Sequence, residues 1–284
     1  MTTARAEPTL SRRHAAGSET VRGLLITVLG ELVLPTGGSA WTSAFLDLLD
    51  RLGVEEKAGR QALMRMAADG WLTGERHGRR TLWRLAPSAE QLLTEGTERI
   101  YGFRGVTRDW DGQFVLVLAR VPETDRSARH LLRTRLSWIG FGTPAPGLWI
   151  SPHSGRVAEV ERVLAEASFD EARVFLARYH GGGDLPGMIR QAWDVDAIQS
   201  RYSQFLADFA GPVAADPLAR VVELVHAWRR FPSIDPELPS ELLPPLWSGE
   251  RAADLFAERQ ASWSAGARRG WMALNEVDVG RGAG

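Results

Sequence analysis

No cysteine occurs anywhere in the 284-residue chain. Its absence excludes disulfides, thiolate zinc sites, iron–sulfur clusters and cysteine nucleophiles, and points to a reducing, cytoplasmic setting. Long apolar runs are missing too. The best candidate, LLITVLGELVL, is interrupted by Gly30 and Glu31 and falls short of the roughly 18 to 20 residues that a bilayer crossing needs, so no membrane partner is expected. The opening stretch MTTARAEPTLSRRHAAGSET has basic residues but no apolar segment of the secretory kind, and residues 1–19 are read as a disordered tail. An excess of one charge is lacking as well, because 34 Lys and Arg oppose 35 Asp and Glu for a net charge of -1. Any attraction to nucleic acid must therefore be local.

Chemistry-bearing motifs are equally scarce. The six histidines, His14, His77, His130, His153, His180 and His226, include no pair at the i, i+4 spacing of a helical zinc site, so no metal or resident cofactor is expected. The glycine run Gly181 to Gly183 follows no dinucleotide-binding pattern and has no P-loop lysine; it reads as a connector. Ser151, Pro152, His153 and Ser154 lack the elbow glycines of a hydrolase, and no catalytic residue is assigned.

What is present is an ordinary globular composition, 44% hydrophobic and 24% charged, long enough for two or three domains. From Ser18 to Pro35 the apolar residues recur at helical spacing. PTGGSAW breaks that helix, Thr42 caps a second running through Leu52, and a third runs from Val54 and Glu55 to about Asp69 before Gly70. The strands WLTGE and TLWRL follow, joined by a turn at Arg76, His77, Gly78 and Arg79. Three helices and a two-stranded ribbon make a winged helix-turn-helix over residues 20–87. Ser88 and Gln91 form a capping box that starts a linker helix over 88–104. The segments QFVLVLARV, Ser127–Ile139, GLWIS, Ser154–Ala167 and ARVFLARYH alternate strand and helix. They suggest a ferredoxin-like α+β domain over 105–182, with one strand not placed. A helical domain over 183–275 follows, with helices to Ala210, from Asp216 to Phe231 and from Gly249 to Ala273. Between the last two helices lies a proline-rich wrap anchored by Leu242, Leu243, Leu246 and Trp247. Residues 276–284 are read as a second disordered tail. The overall class is α+β.

The third helix carries the sharpest signal. Positions 59, 62, 63, 66, 67 and 70 fall on one side as Gly, Ala, Leu, Met, Ala and Gly and face the core. Lys57, Arg60, Gln61, Met64 and Arg65 fall on the other. Arginine forks suit guanine edges and phosphates, and glutamine suits adenine. The ribbon tip adds Arg76, His77, Arg79 and Arg80 around Gly78, within reach of phosphates or a minor groove. Double-stranded DNA is the expected partner, against the plainer alternative of a solvated helix face.

The stretch from VRGLLITVLGELVLPTGGSAW through EEKAGRQALMRMAADGWL and GERHGRRTLWRL resembles the PaaX family of phenylacetic acid catabolon repressors. The likeness continues through VPETDRSARHLLRTRLSWIGFGTPAPGLWISP, IQSRYSQFLADF and HAWRRFPSIDPELPSELLPPLW, from about residue 20 to 270. It implies a homodimeric repressor that binds palindromic operators and is released by an aryl-acetyl-CoA such as phenylacetyl-CoA. Three positions depart from the family pattern: Gly59 replaces an aliphatic residue, Trp83 stands where tyrosine is common, and Glu55 replaces the usual helix cap. Given such an effector, Arg126, Arg129, His130 and Arg133 form a stripe suited to its phosphates. A solvated face or a dimer salt-bridge network is the alternative for that stripe. Trp138, Trp149, Trp193 and Trp228 are candidates for an aromatic pocket, and Arg229 and Arg230 either meet the same ligand or pair with Asp235 and Glu237. The middle domain also resembles ferredoxin-like CRISPR-associated nucleases, but Arg120 stands where those have a metal-binding aspartate, and arginine does not ligate a cation. A metal-dependent nuclease or an acyl-CoA-processing enzyme remains the competing class.

Overall fold

The computed structural model describes residues 20–103, 109–119, 121, 124–167, 169, 171–211 and 216–280. The expected tail at 1–19 and Arg120 lie outside them. The chain divides into two compact units that do not follow chain order. One gathers residues up to Phe103 with Phe205–Arg230 and the segment from Ala253; the other gathers residues 104–204 with Phe231–Ala252. The helices expected as one domain over 183–275 are thus shared between the two.

In the first unit α1 (Val21–Val28) starts where the Thr20 hydroxyl accepts the Gly23 N–H at 3.2 Å. The single helix expected to Pro35 instead widens into a π-helical turn, Leu29–Val33, and tightens into a 3-10 turn, Leu34–Thr36, ending at left-handed Gly37. The segment expected to be a simple break contains a strand, β1 (Ser39–Trp41). Helices α2 (Thr42–Arg51) and α3 (Glu56–Ala68) follow. Trp41, not Thr42, is the N-cap of α2; the Thr42 hydroxyl donates to the Thr81 carbonyl at 3.1 Å and accepts the Trp83 indole N–H at 2.9 Å. Strands β2 (Leu72–His77) and β3 (Arg80–Leu85) complete a sheet of order β1-β3-β2, antiparallel throughout. Helix α4 (Pro87–Gly102) begins on proline with no side-chain cap; Gln91 donates to Glu95 and forms no capping box.

The second unit runs β4 (Gln113–Leu118), α5 (Arg126–Trp138), β5 (Gly142–Ala145), β6 (Leu148–Ser151), a 3-10 turn, α6 (Val157–Glu166) and β7 (Arg173–Arg178). β5 is the strand that the sequence leaves unplaced. The sheet order is β5-β6-β4-β7 with antiparallel neighbours. One face, with Val115, Val117 and Trp149, packs on Leu132, Leu136, Val160 and Leu164 of α5 and α6. The other, with Phe114 and Ile150, packs on Ile189 of α7 (Leu185–Ala192), on Trp193 and on Leu238 and Leu242. A sheet buried on both faces explains the unbroken apolar run of β4. Trp193 has extended backbone and separates α7 from α8 (Val195–Phe209), where sequence periodicity alone suggests one helix. Its indole N–H donates to the Gly140 carbonyl at 3.2 Å.

Helices α9 (Pro217–Trp228), α10 (Phe231–Ile234) and α11 (Gly249–Gly280) close the chain. Asp216 caps α9, accepting from Leu218 and Ala219. In the proline-rich stretch Leu242 is buried, but Leu246, expected to be an anchor, is 93% exposed at a left-handed φ of 63°. α11 continues beyond residue 275, the point at which the sequence suggests fraying, and residues 281–284 lie outside the described residues.

A polar cluster sits in the first unit. Glu31, on the π turn, accepts from the Tyr101 hydroxyl of α4 and, at 3.5 Å, from Ser264 of α11; Gln260 donates to Tyr101 at 3.4 Å. Burial pushes the Glu31 carboxyl above its ordinary value, with the Tyr101 hydrogen bond and the charge of Arg268 only partly opposing it.

Candidate nucleic-acid interface

Helix α3 is held by one row of small and apolar residues. Gly59, Ala62, Leu63 and Met66 are buried. A Cβ at Gly59 would lie 3.0 Å from the ends of both Leu46 and Leu49, so the missing side chain lets α3 approach α2 closely. Glu55 stands at the N-cap without a side-chain cap bond. The opposite row, Lys57, Arg60, Gln61, Met64 and Arg65, is exposed along its length, and the thioether of Met64 stands in solvent at 62% exposure. Arg60 is paired with Glu56 one turn earlier, at 2.6 Å. An exposed i, i+4 pair of this kind contributes about 0.3–0.5 kcal/mol, too little to withhold the guanidinium from a phosphate or a guanine edge.

The β2–β3 hairpin turns over two residues, because His77 pairs with Arg80 and Gly78 adopts a φ of 61°. Strand alternation assigns its side chains to two faces. Leu72, Leu85 and Trp83 are buried on one of them. Gly74 lies across from Trp83, where a Cβ would come within 3.0 Å of the indole; the glycine gives that ring its room. On the other face lie His77, Arg80, Leu82 and Arg84, with the Glu75 carboxylate opposite Leu82 and 3.7 Å from the His77 ring. Arg84 bonds Glu75 at 2.7 Å and holds that carboxylate below its usual range. Arg76 and Arg79 are exposed at the tip.

Trp41 is not singled out by the sequence, yet it belongs to this surface. Its ring meets His77 edge-on at 5.4 Å, and the Arg80 guanidinium lies 4.8 Å from its centroid. The aromatic immediately before a helix start is the available signal, obscured because the strand around it is only three residues long.

The residues proposed for an effector separate. Arg129 and Arg133 of α5, with Trp149 of β6, line one open cleft of about 840 Å³ in the second unit, together with Leu132, Val121 and Pro144. Arg126 and His130 are exposed on the same helix but do not line it. Trp138 is 39% exposed at the end of α5 and does not line it. Trp193 lies on the opposite face of the sheet. Trp228 is fully buried in the first unit, stacked on Phe256 at 4.7 Å and donating to the Ile100 carbonyl at 3.2 Å. Arg229 donates to the Gly23 carbonyl at 2.8 Å and to the Thr27 hydroxyl at 3.0 Å, and burial lowers its pKa to about 10. Arg230 is half-buried. Among the described residues no group of three or more acidic or histidine side chains is placed to hold a metal ion.

Residues 20–89 match the family described as PaaX-like protein, residues 107–189 the PaaX protein central Cas2-like domain, and residues 193–273 the PaaX-like protein C-terminal domain. The chain is 32% identical over 262 residues to the transcriptional repressor PaaX of Escherichia coli (strain K12), covering 86% of this chain and 81% of that one. It is also similar to the solved structure of an uncharacterized protein from Mycobacterium tuberculosis, with a TM-score of 0.62 and 25% identity over 89% of this chain and 99% of the other. With three matched regions in chain order and a relative at that identity and coverage, the chain belongs to the PaaX family.

Proposed function

We propose that the protein is a transcriptional repressor which binds operator DNA as a homodimer, with α3 as recognition helix and the β2–β3 hairpin as wing. The observation that carries this is the division of α3 into a buried row and an exposed row bearing Lys57, Arg60, Gln61 and Arg65, in a chain related to a named repressor. Those side chains enter the major groove; Arg76, His77, Arg79 and Arg80 contact backbone or minor groove. The sheet orders support the finer reading of a winged helix in the first unit and a ferredoxin-like βαββαβ arrangement in the second. The kinship with a repressor favours a regulator over the competing nuclease or acyl-CoA-processing enzyme, and a cytoplasmic location follows from that role.

The effector is an aryl-acetyl-CoA such as phenylacetyl-CoA. The cleft beside Arg129, Arg133 and Trp149 suits it: paired guanidiniums favour phosphates, and an apolar floor accepts an aryl group. Ligand binding shifts the repressor toward a state whose two recognition helices no longer match the half-site spacing. The test is a mobility-shift titration of the full chain against a duplex recovered by in vitro selection. Tight, sequence-selective binding that phenylacetyl-CoA relieves and free CoA does not is the expected result; equal binding to scrambled duplex at moderate salt contradicts it.

A further inference from the structure

Helix α3 presents one apolar side chain to solvent among hydrogen-bonding ones. At about 3.6 residues per turn, Met64 falls near the midline of the exposed row, one turn beyond Arg60 and Gln61, two turns beyond Lys57 and beside Arg65. It stands opposite the buried row of Gly59, Ala62, Leu63 and Met66. At 62% it is the more exposed of the two large hydrophobic side chains that the described part of the first unit leaves in solvent, the other being Met272 of α11 at 49%. The helix is already seated through its opposite row, where Gly59 lets it approach α2. Met64 is therefore apolar surface that the fold itself does not use, held at the centre of a cationic face.

The major groove of a duplex offers one counterpart. Lysine and arginine donate to guanine edges and phosphates, and glutamine donates and accepts as adenine requires. A thioether is at most a weak acceptor, so Met64 reads neither pattern. Among the groups that line the groove, the thymine C5-methyl neither donates nor accepts, and it distinguishes T·A from A·T. An unbranched, polarizable side chain with three rotatable bonds reaches such a methyl without movement of the helix.

We infer that Met64 is a specificity-determining residue for thymine: its side chain covers the C5-methyl of one thymine in each half-site and so favours thymine over cytosine or uracil there. This rests on α3 being the recognition helix of the proposed function. Lys57, Arg60, Gln61 and Arg65 bring the duplex into register, and Met64 adds a preference that no charge supplies. Its size is that of one buried methyl, roughly fourfold in affinity per half-site.

The test begins with the native full chain, because the change is made in the DNA. Each thymine of the selected duplex is replaced, in both half-sites together, by deoxyuridine, which removes the methyl and keeps the base pair. At one position binding should weaken roughly tenfold to twentyfold for the two half-sites combined, with the salt slope unchanged because no phosphate contact is lost. Met64→Gln and Met64→Ala should bind thymine and deoxyuridine duplexes equally at that position, whereas Met64→Leu should keep most of the discrimination. Selective binding by the native chain that tolerates deoxyuridine at every position would overturn the inference and leave the α3 reading standing. A penalty of full size in both Met64→Gln and Met64→Ala would also overturn it, by assigning the methyl contact to another side chain. Loss of dimer in Met64→Gln with discrimination intact would place the thioether in a protein contact instead. If the native chain selects no duplex over scrambled competitor, the α3 reading fails and the inference with it.

Discussion

Gly142 shows how much of the second unit hangs on one absent side chain. A Cβ there would lie 2.5 Å from the Trp193 ring and 2.7 Å from the Ala192 carbonyl. The backbone carbonyl cannot retreat as a side-chain end does, so Gly142→Ala must displace Trp193 and its bond to Gly140. The expected loss is about 1–3 kcal/mol or more, read from the urea unfolding midpoint of that unit. Gly59 is the contrasting case, for its neighbours are the flexible ends of two leucines. Crowding there is offset by about 1 kcal/mol of helix propensity, and Gly59→Ala should change stability by less than about 1 kcal/mol in the same measurement. The sequence marks Gly59 as a departure from family pattern but contains no sign of Gly142, because the approach of Trp193 to β5 is a tertiary event between residues some fifty apart.

Elements are legible in proportion to their periodicity. α3 is readable with its two faces, since Gly59, Ala62, Leu63 and Met66 repeat at helical spacing and the exposed residues fall between them. β1 and β5 are not, because three or four residues carry too little alternation to be told from loop. The π turn is invisible for another reason: Leu29 to Val33 keeps an apolar pattern that an α-helix satisfies equally. π turns often occur at functional sites, and this one places Glu31 among Tyr101, Gln260 and Ser264. Because burial raises the folded-state pKa of Glu31 above its ordinary 4.5, the native state holds that proton more tightly than the unfolded chain. Its contribution is fully present below that ordinary value and is lost as pH rises through the raised folded value. Glu31→Gln should therefore gain melting temperature relative to the native protein as pH rises from about 4.5 toward neutral, in paired thermal scans. A constant difference across that window would contradict the assignment. At the hairpin, Arg79→Ala should weaken every duplex alike and reduce the salt slope by about 0.9, as an anisotropy series would show.

At the scale of the whole molecule, two units divide sensing from DNA contact in the proposed function, and the chain passes between them more than once. Periodicity along a chain does not reveal such a return, so helices of the C-terminal third read as one domain from sequence. Sequence reasoning likewise groups six basic side chains, histidine included, and four tryptophans around an effector, whereas among the described residues Arg129, Arg133 and Trp149 line one cleft while Trp193 and Trp228 pack elsewhere. Arg133→Glu should therefore abolish the rise in melting temperature that phenylacetyl-CoA produces by binding the native state while leaving operator affinity intact; Arg230→Glu should not abolish it. A shift preserved in Arg133→Glu places the effector elsewhere.

Selection of duplexes from a random pool by the native protein and by Arg65→Ala, read by sequencing, asks whether the exposed row of α3 reads DNA. The expected outcome is a two-fold-symmetric site for the native protein and, for Arg65→Ala, loss of preference at one base pair in each half-site worth about 1–3 kcal/mol, with the rest of the site retained. The same site recovered with unchanged preference at every position, from Arg65→Ala and from Gln61→Ala alike, would contradict the assignment of α3 as the recognition helix.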